Sequence, residues 1–235
     1  MPITPDPFAN YEWIDLSHTL EPGIPAWPTH ARYGHILYES YEIGDIACQY
    51  QLVMSEHTGT HIDAPLHFIR GASDASEMPL ERLAGRAATI LANDLPPRGL
   101  LTAAYIQDWE ERHAPIMPKD IVLISFGWEK YWGTGGQAQQ FLQDWPGLGE
   151  DAAKYLVKKE VLSVGCDMLA IDAFGSATFP AHYTLLGNNV YIIENLKHLD
   201  KLPPFCLFFG FPLKVQGGSG SPIRAVALVE KSAAE

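Results

Sequence analysis

The sequence predicts one mixed domain of the α/β or α+β class, in which strands outnumber helices. The chain has 235 residues, the length of one large domain, and 47% of them are apolar, enough to fill a substantial core. Apolar runs of strand length alternate with two stretches of helical periodicity. No repeat or linker divides the chain, so we expect an irregular, proline-rich arm over 1–12 and a single domain over 13–235.

The first predicted elements are a loop and two strands. Three prolines within 20–35 indicate a loop. The run 86–95 is expected to form a strand, and the run 120–126 is almost continuously apolar, which is typical of a strand covered on both faces. Glycines and a proline over 133–149 indicate a long surface excursion.

Two helices are predicted alongside these strands. Thr102 is a suitable N-cap for a helix over about 103–112, because its hydroxyl can accept a backbone N–H. Alanine, leucine and valine recur at helical spacing over about 150–161. Further short strands are expected at 168–172, 189–194, 205–215 and 223–230.

Charge, cysteine content and the N-terminal sequence exclude several classes of protein. The net charge of −12 argues against a general nucleic-acid binder, because phosphate contacts need a positive surface. Cys48, Cys166 and Cys206 are widely spaced and odd in number, so we expect reduced, buried thiols rather than a disulfide framework. The sequence shows no secretion signal and no run long enough to span a bilayer. We therefore expect a cytoplasmic protein without a membrane or nucleic-acid partner.

The segment 57–67 carries the strongest indication of function. It holds three histidines and one aspartate within eleven residues, at His57, His61, Asp63 and His67. Imidazole nitrogen and carboxylate oxygen are the donors that bind zinc, manganese or iron in proteins. Small residues separate these side chains and no apolar stripe runs through them, so the segment predicts a metal site rather than part of a core.

The spacing of this segment indicates a bent chain. On a strand the four side chains would share one face, but His57 and His61 would lie about 13 Å apart, a long reach for one ion. A regular helix would bring positions i and i+4 within about 6 Å, but Gly59, Pro65 and the β-branched residues between them disfavour it. A chain that bends at Gly59 and ends its strand at Pro65 fits best.

The segment 57–67 resembles the His-x-Gly-Thr-His-x-Asp-x-Pro-x-His signature of the cyclase family of metal-dependent hydrolases, which includes bacterial kynurenine formamidase and the isatin hydrolases. Three other parts of the chain resemble family segments: the opening 15–28, His182 followed by 193–196, and the closing 210–225. Together the matches extend from about residue 14 to residue 229. The resemblance implies the family's swivelling β/β/α fold, with a mixed sheet, a few helices and long loops.

The resemblance also implies a metal centre of one or two divalent ions, zinc or manganese. One ion would be held by His57, His61 and Asp63. Asp63 would bridge to a second ion held by His182, expected in a polar loop, and by Glu194, expected at a strand end.

His67 falls at the family's catalytic position, where the resemblance implies an acid or base that moves protons for a metal-activated water. The implied reaction is hydrolysis of a C–N bond in a small aromatic formamide, amide or lactam. N-formylkynurenine is the first expected substrate and isatin-like lactams are the second. Trp27 and Phe68 are expected to contact the substrate. Further aromatic surface is expected from Phe174, Phe179 and Tyr183.

The sequence also allows an alternative function, and the resemblance implies an oligomeric state. The chain could instead be a metal-containing binding module that lacks turnover, although an intact His67 favours an enzyme. The family resemblance implies a homodimer or homotetramer. The glycine-rich stretch 217–221 lacks the Gly-Lys-Ser/Thr ending of a phosphate loop, so we expect a pocket rim or a subunit contact there.

Overall fold

The computed structural model describes residues 6–231, which form thirteen strands and four α-helices. The strands are β1 (Tyr11–Asp15), β2 (Gly34–Glu39), β3 (Gln49–Val53), β4 (His61–Asp63), β5 (Ala84–Leu91), β6 (Leu100–Leu101), β7 (Ile121–Ser125), β8 (Gly147–Leu148), β9 (Ser163–Cys166), β10 (Tyr191–Glu194), β11 (Phe205–Phe209), β12 (Gly220–Pro222) and β13 (Val226–Glu230). The helices are α1 (Ala103–Arg112), α2 (Ala138–Phe141), α3 (Glu150–Lys158) and α4 (Pro180–Leu186). No helix of the described residues is long and apolar enough to cross a membrane.

A nine-stranded mixed sheet runs through the molecule in the order β1-β13-β11-β5-β7-β9-β10-β4-β12. The middle strands β5, β7, β9 and β10 are parallel, and the strands on either side of them pair antiparallel. Helices α1, α3 and α4 lie in the connections between successive parallel strands. This architecture confirms the expected α/β class with a mixed sheet and a few helices.

Strand β7 is buried on both faces, as its continuous apolar run predicts. Val122 and Ile124 belong to a core shared with helices α1, α3 and α4. Ile121 and Leu123 belong to a second core on the opposite face of the sheet. Because each fully buried side chain of this size contributes about 1.5–3 kcal/mol, the two cores fix the middle of the sheet.

The two predicted helices are confirmed. The Thr102 hydroxyl accepts the N–H of Tyr105 at the start of α1, the expected N-cap. Helix α3 ends at Lys158, before the predicted end at residue 161, because Glu160 adopts a left-handed conformation with φ of 58°. A non-glycine residue in that region ends a helix, since its Cβ crowds the backbone.

The strand predicted over 168–172 is wrong. The strand of this region is β9, and 168–172 is irregular although most of it is buried. The backbone groups of this run form hydrogen bonds that are not part of a β-ladder. The Ile171 N–H donates to the Glu194 carboxylate at 2.8 Å, and the Met168 carbonyl accepts from the Asn195 N–H at 3.0 Å. An apolar run can therefore stay buried without forming a strand when distant groups satisfy its backbone.

The remaining strand predictions are confirmed with different ends. The largest difference is in β11, which was expected to reach residue 215 and ends at Phe209. Beyond it, Pro212 forms only an isolated bridge to Ile223, because proline has no N–H to donate to a ladder. At the N-terminus, β1 begins at Tyr11, inside the arm expected over 1–12, whose first five residues lie outside the described part of the chain.

The segment 133–149 is not a surface excursion along its whole length. It contains α2 and β8, and Phe141 and Trp145 are buried in the helix-side core. The Trp145 indole N–H donates to the Asp172 carbonyl at 2.8 Å. The glycines and proline of this segment marked a break in regular structure, but its aromatic residues hold it against the domain.

Two of the three cysteines follow the prediction. All three thiols are free, and Cys166 and Cys206 are buried. Cys48 is exposed, contrary to the expectation, because it lies beside β3 in a hairpin that pairs only with itself.

His18, near the start of the chain, is held as a neutral imidazole. Its ring stacks on Trp132 with 3.8 Å between centroids, and its Nε2 atom is buried without a partner among the described residues. Burial is the main reason that the pKa of His18 falls to about 3.

Replacing Gly147 with alanine should destabilise the fold by about 2–3 kcal/mol. An added Cβ would lie 2.1 Å from the Ala173 nitrogen, a backbone atom that cannot move alone. Gly136 in the same segment is the matched control, because a Cβ there meets nothing within 4 Å. Urea unfolding of both variants measures the difference, and equal free energies of unfolding would contradict the close approach.

His18 should make the protein less stable as the pH falls from 6.5 toward 3. The unfolded chain binds a proton near pH 6.5, whereas the folded state resists it to about pH 3, so acid favours unfolding by up to about 1.4 kcal/mol per pH unit. The variant His18→Phe keeps a stacking ring but cannot be protonated. Its free energy of unfolding should fall less steeply than that of the wild type between pH 6.5 and 4, and parallel slopes would contradict the assignment.

Candidate metal centre and active site

Strand β4 presents His61 and Asp63 on one face, between β10 and β12. The register places Glu194 directly opposite His61, and directly opposed residues of antiparallel strands point to the same side. His61 Nε2 consequently lies 3.5 Å from Asp63 Oδ1 and 3.4 Å from Glu194 Oε2. Two strands distant in sequence thus bring one imidazole and two carboxylates together.

Helix α4 brings His182 to the same point. The Asp172 carboxylate accepts the backbone N–H groups of Ala181 and His182 and also faces His182 Nδ1 at 2.6 Å. His182 Nε2 is thereby directed at Glu194 Oε1, 3.3 Å away, and at Asp63 Oδ2, 3.7 Å away. The polar loop expected around His182 is wrong: the residue lies in a helix because Asp172 satisfies the first N–H groups of that helix.

The bend at Gly59 is present and orients His61. Gly59 adopts φ of 62°, and an added Cβ would lie 2.5 Å from Leu20 Cδ2. Its carbonyl faces His61 Nδ1 at 2.8 Å and accepts from the Asn195 amide at 2.9 Å. Nδ1 is therefore the protonated nitrogen of His61, which leaves Nε2 with a free lone pair toward the carboxylates, the orientation usual for a metal-ligating histidine.

His57 faces the same carboxylate oxygen of Asp63 as His61 does. Its Nδ1 lies 2.7 Å from Asp63 Oδ1, and its Nε2 lies 2.9 Å from the Ser219 hydroxyl, which donates to Glu56 at 2.6 Å. Gly220 gives the ring its space, because a Cβ there would lie 2.7 Å from His57 Cε1. The stretch 217–221 is therefore the wall behind an imidazole.

Two groups of possible metal ligands meet at Asp63. In each group the ligand atoms lie within 4.8 Å of one another. The first group is His57, Asp63 and His67. The second group is His61, Asp63 and Glu194. All five side chains predicted as metal ligands, and the predicted catalytic His67, thus lie in one cluster.

The predicted division of these ligands between two ions stays a prediction. His57 and His61 were expected on one ion, with His182 and Glu194 on another. In the structure His57 and His61 both face Asp63 Oδ1, at 2.7 and 3.5 Å, and His182 faces Oδ2 at 3.7 Å. Glu194 lies within 3.4 Å of both His61 and His182.

The cluster has the chemistry of a divalent metal site. Asp63 Oδ2 is buried and has no hydrogen-bond partner among the described residues. A buried carboxylate oxygen without a partner is costly unless a proton or a cation satisfies it. Imidazole and carboxylate donors around that oxygen fit zinc or manganese.

Charge in the cluster favours ionised carboxylates and a neutral His67. Burial raises the pKa of Asp63, but the neighbouring imidazoles, that of His57 foremost, outweigh burial and hold it well below its ordinary value. Burial also raises the pKa of Glu194, and the bonds from His182 and His61 lower it further than burial raises it. Burial is the main reason that the pKa of His67 falls to about 4.

A cavity of about 170 Å³ opens beside the cluster. One wall is polar and contains the imidazoles and Glu194, and the other is aromatic. The residues that line it are Trp27, His30, His57, His61, His67, Phe68, Leu169, Ala170, Phe179, His182 and Glu194. Trp27 and Phe68, expected at the substrate, are both in the lining, and Phe68 stacks on His182 with 4.4 Å between centroids.

Of the three other aromatic residues expected near the site, only one lines the cavity. Phe179 lines the cavity. Tyr183 is 52% exposed and contacts Phe68 from outside, and Phe174 packs edge-on against Trp145. These two side chains contribute to the surroundings of the aromatic wall and not to the lining itself.

Sequence reasoning missed three residues of the site. His30 lines the cavity, with its ring centroid 5.7 Å from that of His57, but a lone histidine in a proline-rich loop carries little signal. Ser219 was not singled out, because the stretch 217–221 was interpreted only through its glycines. Asp172 gave the clearest signal, since a carboxylate that directly follows a buried apolar run needs a partner.

Comparison with known proteins gives consistent matches. The Cyclase family model, described as "Putative cyclase", matches residues 14–173. The isatin hydrolase of Roseibium aggregatum is 35% identical over 198 residues, covering 77% of this chain and 74% of its own. The kynurenine formamidase of Bacillus cereus is 27% identical over 215 residues, covering 92% and 96%. A crystal structure of an isatin hydrolase bound to the product analogue thioisatinate superposes with a TM-score of 0.88 at 30% identity, covering 94% of each chain.

Replacing Asp172 with asparagine should weaken zinc binding about 10–100-fold. The amide keeps the shape of the carboxylate but cannot accept all three N–H groups, so His182 loses its fixed orientation. Competition with a chelating dye measures the affinity. Asp144→Asn is the control, because that carboxylate is exposed and pairs with Arg98 on the surface. Equal zinc affinity in the two variants would contradict the positioning role.

Proposed function

The chain belongs to the cyclase family of metal-dependent hydrolases, and on that premise we propose that it hydrolyses the C–N bond of a compact aromatic amide or lactam. The observation that carries the proposal is the cluster around Asp63, which opens directly onto a small cavity with an aromatic wall. Metal ligands and an aromatic binding surface are thus combined in one space.

We propose zinc or manganese as the cofactor. His61, Asp63, His182 and Glu194 would hold one divalent cation, and His57, which faces the same Asp63 oxygen as His61, would join them. A cation held there supplies Lewis acidity, which lowers the pKa of a coordinated water toward 7 and polarises an amide carbonyl. The other donors around Asp63, those of the group that contains His57, give room for a second ion.

His67 is the proposed acid and base. Its ring stacks on His57 with 4.0 Å between centroids and lines the cavity, so it borders both the ligands and the substrate space. With a pKa lowered to about 4, it is neutral at pH 7 and free to accept a proton. It takes the proton of the attacking water and returns it to the leaving nitrogen, which would otherwise depart as an unstable anion.

The cavity favours an isatin-like lactam over N-formylkynurenine. A cavity of about 150 Å³ holds one benzene ring, so about 170 Å³ accepts one aromatic ring with a fused or short amide group. N-formylkynurenine also carries an amino-acid tail with a carboxylate. Among the described residues the lining contains no lysine or arginine to pair with that carboxylate, and burying it without a partner is costly.

Hydrolysis of the two substrates by the same preparation tests the proposal. The protein is stripped of metal and assayed with isatin and with N-formylkynurenine, before and after zinc or manganese is added back. We expect turnover only with metal, and a kcat/KM for isatin at least about tenfold higher. A reversed preference would contradict the substrate assignment, and binding of metal without turnover of either compound would contradict the proposed reaction.

Assembly and location are further parts of the proposal. We propose a homodimer or homotetramer, as expected from the family, and the apolar side chains exposed on the hairpin of β2 and β3, such as Ile43 and Ile46, support it. We propose a cytoplasmic location, supported by the free, buried thiols of Cys166 and Cys206, which a reducing compartment preserves.

Replacing His67 with alanine should lower kcat about 10²–10⁴-fold while metal content stays near that of the wild type. The reason is that the variant loses proton transfer and keeps the other donors around Asp63. Steady-state kinetics and elemental analysis of the same samples measure both quantities. His113→Ala, an exposed histidine at the end of α1, is the control. Loss of metal in His67→Ala would place His67 among the ligands instead.

A further inference from the structure

His30 is a polar side chain of the cavity that the proposed mechanism does not use. Every other imidazole or carboxylate in the described lining belongs to the cluster around Asp63 or is the proposed acid and base, His67. The rest of the lining is aromatic or aliphatic. In cavities of this kind a few polar groups fix the orientation of a ligand that apolar walls hold, and His30 is available for that role.

A tight turn holds His30 at the cavity. The His30 N–H donates to the Trp27 carbonyl at 3.0 Å, which closes a four-residue turn with Pro28 at its second position. Proline at that position fixes the backbone of the turn. The Arg32 guanidinium donates to the Ala26 carbonyl at 3.2 Å and joins the two ends of the turn from outside. The imidazole of His30 is therefore held next to the aromatic wall that begins at Trp27.

One ring nitrogen of His30 has no partner in the protein. Its Nδ1 atom is buried and forms no hydrogen bond with a described residue. The neighbouring imidazole of His57, with 5.7 Å between ring centroids, cannot supply one, because its Nδ1 faces Asp63 and its Nε2 faces Ser219. A buried polar atom without a partner is costly. An imidazole also has an N–H to donate in either protonation state, so a carbonyl oxygen of a ligand would suit His30.

The position of His30 limits which oxygen of a ligand it can reach. A carbonyl that a cation polarises must lie against the cluster, and His30 lies beside His57, whose Nδ1 is 2.7 Å from Asp63 Oδ1. The cavity of about 170 Å³ accepts little more than one aromatic ring. An oxygen that meets His30 therefore belongs to the carbon next to the reacting carbonyl, and not to a distant substituent.

We propose that His30 determines substrate specificity by donating a hydrogen bond to a ketone oxygen next to the carbonyl that is cleaved. The inference rests on the proposed function and names its substrate class: lactams that carry a ketone beside the amide, as isatin does. Water adds its hydroxyl to the amide carbon and its proton to the leaving nitrogen. The product is an arylamine with an α-keto carboxylate, which keeps the ketone, so His30 binds substrate and product alike. The formyl group of N-formylkynurenine has no such neighbour.

Two ligands without a cleavable bond test this inference in the absence of turnover. Phenylglyoxylate carries a ketone next to its carboxylate, and phenylacetate carries a methylene group there. Calorimetric titration of the zinc-loaded or manganese-loaded protein gives both dissociation constants. We expect the wild type to bind phenylglyoxylate about tenfold more tightly, because the ketone adds one hydrogen bond inside the cavity.

Three variants assign the preference to His30. His30→Leu removes the N–H groups and keeps an apolar side chain in the cavity, so the two ligands should bind with nearly equal affinity. His30→Gln keeps a side-chain N–H donor and should retain part of the preference. His113→Leu is the matched control, because His113 is an exposed histidine at the end of α1 and is not in the lining. It should keep the full preference.

The outcomes separate this inference from the proposed reaction. A preference of equal size in the wild type and in His30→Leu would overturn the inference, because the cluster alone would then bind the ketone. A wild type that binds the two ligands equally, or binds neither, would overturn it as well. A preference that depends on His30 in a protein without isatin turnover would support the inference and count against the proposed hydrolysis alone.

Discussion

The buried carboxylate of Asp63 is the constraint on which the rest of the structure depends. It is fully enclosed, and an isolated buried carboxylate costs several kcal/mol. Three imidazoles, those of His57, His61 and His182, lie around the carboxylate and offset that cost. The Oδ2 atom of Asp63 still has no hydrogen-bond partner among the described residues, and a bound cation would satisfy it. The register of β4 against β10 places Glu194 opposite His61, so a second carboxylate lies beside an imidazole that already faces Asp63.

The supporting groups belong mainly to the backbone and to loops. The Gly59 carbonyl and the Asp172 carboxylate each occupy the outward nitrogen of one histidine, so both rings present the inward nitrogen without sampling other orientations. Glycine at Gly59 and Gly220 is required by close approach to Leu20 and His57. The aromatic wall then completes the site on the side where a planar substrate would lie.

Local patterns predicted the parts of the site that are local in sequence. The bend at Gly59 and the shared face of His61 and Asp63 follow from spacing alone. Glu194 opposite His61 depends on strand register, which only the family resemblance could supply. Two of the errors share a physical origin: the irregular run 168–172 and the helix around His182 are both set by hydrogen bonds to carboxylates outside their own segments. Residue propensities contain no information about such bonds. The exposed Cys48 reflects a hairpin that pairs only with itself.

The metal content of the variant Asp63→Ala, compared with that of the wild type, tests whether the Asp63 carboxylate holds the metal. Both proteins are purified in parallel, exposed to zinc and to manganese, freed of loosely held ions and measured by elemental analysis, with folding checked by circular dichroism. We expect stoichiometric metal in the wild type and almost none in the variant, because Asp63 belongs to both groups of ligands. A folded variant that retains stoichiometric metal would contradict it.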